Sequence, residues 1–185
     1  MSLNLNEYLD ADWARLCCLI GASPTPRQLK AHFGPRFAPV VILRCAQVLN
    51  AKGYTRAAKI FSLINFLIFN LEVPARLYIG PGLVIPHPQG TVLGAAHIGS
   101  NATIFHQVTL GGKSADFEYA SHKRPHVGDN VTISVGAKIL GGIHLGEGSV
   151  IGANAVVLSD VPPASMAVGV PAKISALNKA SETYD

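Results

Sequence analysis

The sequence predicts a mainly β protein, in which a parallel β-helix of triangular cross-section follows an α-helical N-terminal region. Aliphatic residues recur about every six positions from Ile79 to Val157. Glycine often follows such a residue, as in IGSNA and VGDNV, and the residue four positions after it is often small. A repeat of this kind makes one short strand and one corner per unit, and three units close a coil. Neither the alternation of an ordinary strand nor the period of a helix fits this spacing.

The inward aliphatic residues, here called anchors, fall into three columns because equivalent residues stack on successive coils. The first column contains Ile79, Ile98, Val127 and Leu145, the second Ile85, Ile104, Ile133 and Ile151, and the third Val92, Leu110, Ile139 and Val157. We expect the glycine after an anchor to supply the unusual backbone angles of a corner. The small residue is expected to fill the crowded interior near the next corner.

Residues 1–71 form the predicted helical region. Apolar residues at three- and four-residue spacing predict helices over about 5–20, 37–51 and 56–70. The third helix contains the run IFSLINFLIFNL, which is too short to span a bilayer. The run indicates a helix that is buried all round or presented to another subunit. Contact with a membrane surface is the alternative that the pattern leaves open.

Residues 72–174 form the predicted β-helix domain, and residues 175–185 form a C-terminal tail. The repeat stops after Gly112 and restarts at Val127. Residues 113–125 therefore read as a loop extruded from the coil. Loops of this size on a rigid scaffold are often functional.

The amino-acid composition limits the classes of function and partner that fit the chain. The 185 residues are 49% hydrophobic and 14% charged, with a formal net charge of +4. There is no basic run or aromatic ladder, so nucleic acid is not an expected partner, whereas an anionic small ligand is compatible. Cys17, Cys18 and Cys45 lack zinc or redox spacing, and the N-terminus lacks the pattern of a signal peptide. A reduced, cytoplasmic protein is expected.

The column positions predict that five histidines lie in two stacked sets. His87 and His106 each lie two residues after an anchor of the second column, so they should stack on adjacent coils about 4.8 Å apart. Such a pair suits proton transfer. The second set contains the residues before the anchors of the first column, His97, His126 and His144. This ladder is either a metal site or a stack of surface histidines.

Three elements carry a family resemblance. The runs IPHPQGTVLG and ATIFHQVTLGG precede the loop, and VGAKILGGIHLGEGSVIGANAVVLSDVPPASMAVGVPAKI follows it. Over about residues 40–174 the chain resembles the serine acetyltransferases and their relatives among the hexapeptide-repeat acyltransferases. The resemblance implies a left-handed β-helix and a homotrimer that binds acetyl-CoA between subunits and acetylates a hydroxyl group, with no metal. The helical region is shorter than in serine acetyltransferases, which favours a trimer over a hexamer.

The resemblance also assigns catalytic residues. His87 falls on the family's general base, and Glu72 lies fifteen residues before it, where the family has an orienting carboxylate. Pro86 stands where serine acetyltransferases have Asp, and Arg124 where they have a second histidine. Relatives that acetylate sugars carry an element like Pro125 to Gly128.

The expected reaction is therefore acetylation of a sugar or glycan in exopolysaccharide, capsule or lipopolysaccharide biosynthesis. The alternatives are serine O-acetylation for cysteine biosynthesis, a β-helix metal-dependent hydratase and a catalytically silent scaffold. The resemblance further implies binding residues. His106, His122 and Arg124 are predicted to contact a small-molecule or glycan acceptor, and Gly112, Val135, Ala153 and Lys173 to contact the acetyl donor.

Overall fold

The computed structural model describes residues 4–114 and 118–177. Three α-helices come first, and they lie within two residues of the predicted spans. They are α1 (Leu5–Leu19), α2 (Ala38–Ala51) and α3 (Thr55–Phe69), with a 3-10 helix, Leu29–Phe33, between α1 and α2. Asn4 caps α1 by accepting a hydrogen bond from the Asn6 amide, and Asn70 ends α3 in the left-handed region. These asparagines fix where α1 begins and where α3 ends, because each satisfies or replaces backbone contacts at the helix terminus.

Among the described residues, fourteen short strands follow the helices and form three sheets. Sheet A contains β1 (Leu71–Glu72), β3 (Thr91–Leu93), β6 (Thr109–Gly111), β9 (Lys138–Leu140) and β12 (Val156–Val157). Sheet B contains β2 (Tyr78–Ile79), β4 (His97–Ile98), β7 (His126–Val127) and β10 (His144–Leu145). Sheet C contains β5 (Thr103–Ile104), β8 (Thr132–Ile133), β11 (Val150–Ile151), β13 (Ser165–Val168) and β14 (Lys173–Ala176). The paired strands are parallel, except that β14 runs antiparallel to β13. The predicted repeat is thus present as three mostly parallel sheets.

The strand register confirms the first two columns of anchors and corrects the third. Ile79 pairs with Ile98, and Ile98 with Val127, as counted from the sequence. In the third column, however, Leu110 pairs with Leu93, which is fully buried, whereas Val92 is only half-buried. The prediction for Val92 was wrong because the extra residues at 88–90 displace the repeat by two positions rather than one.

The glycines after the anchors have a different role from the one expected. They are absent from the residues with positive φ. A Cβ on Gly80 would instead lie 2.6 Å from the backbone nitrogen of Ser100 on the next coil. Left-handed corner angles are taken by Asn101, Asn130 and Asn154, with φ of 55–58°. Asparagine tolerates that conformation, and the glycines that follow anchors instead lie where two coils approach closely.

The small residues fill the coil interior as predicted. The four that follow anchors by four positions are fully buried: Ala102, Ala137, Ser149 and Ala155. Between them pack the anchors, several of which have no exposed surface at all. Burial at this level, repeated on each coil, holds the corners in a fixed position.

A buried ion pair joins the helices to the first coil. The Arg44 guanidinium of α2 donates from Nε and Nη2 to the Asp12 carboxylate of α1, at 2.8 and 3.0 Å. It also donates to the backbone oxygens of Ile79 and Gly80, and to the side chain of Gln47. All five guanidinium donors are therefore used. Asp12 in turn accepts from the Leu83 amide at 2.8 Å.

Helix α3 presents an apolar surface. Five of its large apolar side chains are between 46% and 71% exposed: Ile60, Leu63, Phe66, Leu67 and Ile68. In residues 4–114 and 118–177, no helix is long and apolar enough to cross a membrane. The prediction of a helix buried all round is therefore wrong, and the remaining choice is between a partner subunit and another surface.

The described parts of the loop and of the C-terminal segment contain regular structure. The described part of loop 113–125 contains a 3-10 helix, Ser121–Lys123, which lies against Gly142. At the C-terminus, β14 continues to Ala176, past the predicted domain limit at 174. Most of the predicted tail, from residue 178 onward, lies outside the described residues.

Candidate active site

His87 and His106 meet at one corner of the β-helix, as the column count predicted. Their ring centroids are 5.7 Å apart and the rings are nearly perpendicular, at 87°. His87 lies on the coil surface and is exposed, whereas His106 is half-buried. An exposed imidazole beside a half-buried one offers a proton acceptor with a fixed neighbour.

Two of the predicted donor-binding residues continue the same corner. The Gly136 amide donates to the His106 oxygen at 2.9 Å, and the Asn154 amide donates to the Val135 oxygen at 2.8 Å. These bonds stack His106, Val135 and Ala153 on three successive coils. Val135 is half-buried and Ala153 is exposed. The column therefore forms a continuous surface strip that ends at the histidine pair.

His106 has an unused polar atom at this corner. Its Nδ1 is buried and has no hydrogen-bond partner within the described part of the chain. A buried polar atom without a partner costs free energy, so such atoms in native proteins usually have a ligand or water to meet. Nδ1 is therefore open to a hydrogen bond with a ligand or with water.

Glu72 lies on the strand next to the histidine corner. It pairs with Val92 in the strand that follows His87, and its side chain is exposed. Within residues 4–114 and 118–177, no hydrogen bond or ion pair joins Glu72 to His87. The catalytic pairing of these two residues stays a prediction.

Tyr119 organises the loop and was missed from the sequence. Its ring contacts two guanidinium groups, that of Arg124 at 3.5 Å and that of Arg76 at 4.0 Å. Its hydroxyl donates to the Ala95 oxygen at 3.1 Å. Burial, as the main cause, raises the pKa of Tyr119, and Glu72 adds to the increase. Tyr119 therefore remains neutral and ties the loop to the coil.

Arg124 is buried within this arrangement. Its Nη1 donates to the Gly94 oxygen at 3.0 Å, and it is 9% exposed. These contacts hold the loop against the coil, and the contact of Arg124 with an acceptor stays a prediction. The available sequence signal was an aromatic residue and an arginine in the same non-repeating segment, but the distant Arg76 could not be placed from it.

The remaining predicted site residues lie at different places. His122 is exposed in the 3-10 helix of the loop, and Gly112 is half-buried at the start of the loop. Lys173 is exposed at the C-terminal end of the coil. Its neighbour Ala172 donates to the oxygen of Val156 in β12, the last strand of sheet A, at 2.8 Å. Lys173 therefore follows the last coil as the first residue of β14. The structure therefore does not group these three with the histidine pair by direct contact.

The second histidine set forms the predicted ladder on sheet B. His126 and His144 stack with centroids 4.9 Å apart, and Tyr78 extends the ladder by stacking on His97 at 4.9 Å. Among the described residues, no group of three or more His, Cys, Asp or Glu side chains could hold a metal ion. The ladder is thus a stack of surface histidines in this structure.

This ladder predicts acid sensitivity. Desolvation, and then the neighbouring His126, lower the pKa of His97 below its ordinary value. The unfolded chain therefore takes up a proton before the folded chain does. We expect the free energy of unfolding to be constant above about pH 6.5 and to fall as the pH decreases below it.

Urea unfolding at pH 7.5, 6.5 and 5.5 measures this effect. The His97→Asn variant should lose less stability between pH 7.5 and 5.5 than the wild type, and the exposed His122→Asn should behave as the wild type. Equal losses in wild type and His97→Asn would show that the ladder has no part in acid sensitivity.

Comparisons with known proteins agree with the repeat. A family model described as bacterial transferase hexapeptide (six repeats) matches residues 124–159. A serine acetyltransferase of Helicobacter pylori is 39% identical over 140 residues, which cover 75% of this chain and 80% of that protein.

Solved structures are similar over most of the chain. The crystal structure of Neisseria gonorrhoeae serine acetyltransferase (CysE) matches with a TM-score of 0.79 and 30% identity, over 93% of this chain and 66% of that one. A serine acetyltransferase in complex with CoA matches with a TM-score of 0.76 and 28% identity, over 92% of this chain and 69% of that one. The chain thus spans about two thirds of the length of these solved relatives.

Proposed function

Because the chain belongs to the serine acetyltransferase family, we propose that it is an acetyl-CoA-dependent acyltransferase that acetylates the hydroxyl of L-serine. The observation that carries the proposal is the 39% identity to a serine acetyltransferase across 80% of that protein. The corner formed by His87 and His106 supports it, because it offers a proton acceptor beside an unfilled polar position.

The sequence-based preference for a sugar or glycan acceptor was wrong. The similar proteins are serine acetyltransferases, both in sequence and in structure. The preference rested on single positions such as Arg124, which is buried against Gly94 and Tyr119 and does not report directly on the acceptor. The expected role in polysaccharide biosynthesis was wrong for the same reason.

The proposed chemistry uses His87 as general base. Its neutral imidazole takes the proton of the serine hydroxyl while the oxygen attacks the thioester carbonyl of acetyl-CoA. The tetrahedral intermediate then breaks its carbon–sulfur bond, and the leaving thiolate receives the proton from the imidazolium. The products are O-acetylserine and CoA, and the imidazole of His87 returns to its neutral form. The exposed position of His87 on the coil surface supports this role.

Glu72 is the proposed orienting carboxylate. A carboxylate near the ring would stabilise the imidazolium that forms during the reaction. Its place on β1, beside the strand that follows His87, supports the role. His106 is proposed to contact the acceptor through its unpartnered Nδ1, and His122 to approach the acceptor from the loop. Arg124 is proposed to hold the loop for them.

The proposed donor site runs along the corner column. Val135 and Ala153 stack above His106, so a pantetheine arm lying on this strip would bring the thioester to His87. Gly112 is proposed to line the same groove, and Lys173 to bind a phosphate of the donor from the C-terminal end of the coil.

The assembly and the fold's handedness belong to the same proposal. We infer a left-handed coil and a homotrimer with active sites between subunits. The exposed apolar side chains of α3 support an oligomer, since surfaces of this kind usually face a partner. A cytoplasmic location follows from the use of acetyl-CoA as donor.

A free-thiol release assay tests the function. With acetyl-CoA as donor, L-serine should release CoA faster than D-serine, L-threonine or any member of a panel of sugars and nucleotide sugars. The D-serine control separates recognition of the amino acid from the reactivity of a hydroxyl. A sugar that matches or exceeds L-serine would overturn the proposal.

A further inference from the structure

A cavity of about 590 Å³ lies between the helical hairpin and the segment that leads into sheet B. Its walls include Asn50, Thr55, Lys59 and Ser62 from α2 and α3, and Pro74 and Arg76 from the turn after β1. None of the residues proposed for acetyl transfer lines it. Its volume is within the range of small-molecule sites.

The cavity is positively charged. Lys59 and Arg76 line it, and no carboxylate does. Within residues 4–114 and 118–177, neither cation forms a hydrogen bond or an ion pair. Two further cations of the helical hairpin, Lys52 and Arg56, lie close to Lys59 in the chain, and no Asp or Glu occurs from residue 13 to residue 71. Such a setting favours an anion.

Arg76 is held in a way that leaves its donors available. Its guanidinium group lies 4.0 Å from the centre of the Tyr119 ring. This contact uses the charge of the guanidinium and no N–H···O hydrogen bond, so its N–H groups can still bind oxygens of a ligand. Because the Tyr119 hydroxyl is tied to the Ala95 oxygen, the guanidinium is positioned before a ligand arrives. Phosphate and carboxylate groups match this planar arrangement of donors.

Ser62 provides a second sign of an unfilled position. Its Oγ is buried and has no partner among the described residues. Thr55, Lys59 and Ser62 follow one another at four and three residues on α3, so they share one face of the helix. An acceptor oxygen beside Lys59 would give the Ser62 hydroxyl the partner that it lacks.

We propose that this cavity binds a small polyanion through Lys59 and Arg76, separately from the acetyl-transfer site. One anionic group lies between the two cations, and the Thr55 and Ser62 hydroxyls donate to it. The recognised chemistry is a pair of phosphate or carboxylate groups. The cavity shares no residue with the proposed acetyl-transfer site, so its ligand is expected to be a different molecule from acetyl-CoA.

Isothermal titration of the full chain tests the site, with pyrophosphate and citrate as the two probes. CoA is present at saturation, which keeps the donor's own phosphate contacts occupied, and ionic strength is constant. Binding of pyrophosphate alone identifies a phosphate ligand, and binding of citrate alone a carboxylate ligand. Lys59→Gln and Arg76→Gln should each weaken binding about tenfold, the effect of losing one charge-assisted hydrogen bond.

Lys52→Gln is the matched control, because Lys52 is an exposed lysine between the same two helices that does not line the cavity. It should leave binding unchanged. Arg76→Lys keeps the charge and should still weaken binding, since an ammonium lacks the planar donors. Absence of binding by both probes, or an equal loss in Lys52→Gln, would overturn the site. Neither result depends on acetyl transfer to serine.

Discussion

The His87→Asn variant is expected to lose catalysis while remaining folded. A general base contributes about 10²–10⁴-fold to the rate of such reactions, so kcat/KM for L-serine should fall by that factor. Asparagine is close in size and cannot take up a proton near neutral pH. Because His87 is exposed on the coil surface, its replacement leaves the buried anchors untouched. Stopped-time thiol release with acetyl-CoA and L-serine measures the loss.

The matched control is His144→Asn. His144 is also an exposed histidine of the β-helix, but it lies on sheet B, away from the corner that contains His106. Its kcat/KM should equal that of the wild type. Turnover by His87→Asn within threefold of the wild type would reject the proposed base, provided that the two variants have the same oligomeric state by light scattering.

The Arg44→Met variant is expected to destabilise the chain by about 3–5 kcal/mol. Methionine fills much of the volume but leaves the fully buried Asp12 carboxylate without its cation. The oxygens of Ile79 and Gly80 also lose their donor. Burial already raises the pKa of Asp12, so its neutral form can remain inside more easily. The loss should therefore be smaller at pH 5 than at pH 8, as measured by urea unfolding.

A double variant separates the charge from the packing. Asp12→Leu combined with Arg44→Met removes both charges, and its loss should be well below the sum of the two single losses. Additive losses would mean that the two residues stabilise the chain independently. In that case the ion pair would not be what joins α1 and α2 to the first coil.

The columns of the β-helix could be predicted because the repeat fixes which residues stack. The count placed His87 beside His106 and aligned Val135 and Ala153 above them, and the backbone bonds show that arrangement. The same count failed at Val92, since a period shows that extra residues are present but not how many positions they displace. The count also could not show whether a glycine is needed for a positive φ angle or for a close approach between two coils.

Contacts between distant parts of the chain lay beyond sequence reasoning. Asp12 and Arg44 are 32 residues apart, and no pattern links them. The same holds for Arg76 and Tyr119, which lie outside the repeat, and for the cavity that Arg76 lines. The acceptor was misjudged for a related reason. The sugar acceptor was predicted from a few positions that differ from serine acetyltransferases, against the similarity of the whole chain. One of these positions, Arg124, donates a hydrogen bond to the Gly94 oxygen, which the sequence did not reveal.

The reversal at β14 affects how molecules meet end to end. A stack of parallel strands has an open last coil, whose unpaired amides and carbonyls would accept the first coil of another molecule. Here β14 folds back antiparallel along β13 over Ser165–Val168, and at the opposite end α1 and α2 cover the first coil through Arg44. In sheet C, another molecule that extended the stack would therefore meet the antiparallel β14 instead of a parallel coil strand, which disfavours end-to-end growth of the coil in that sheet.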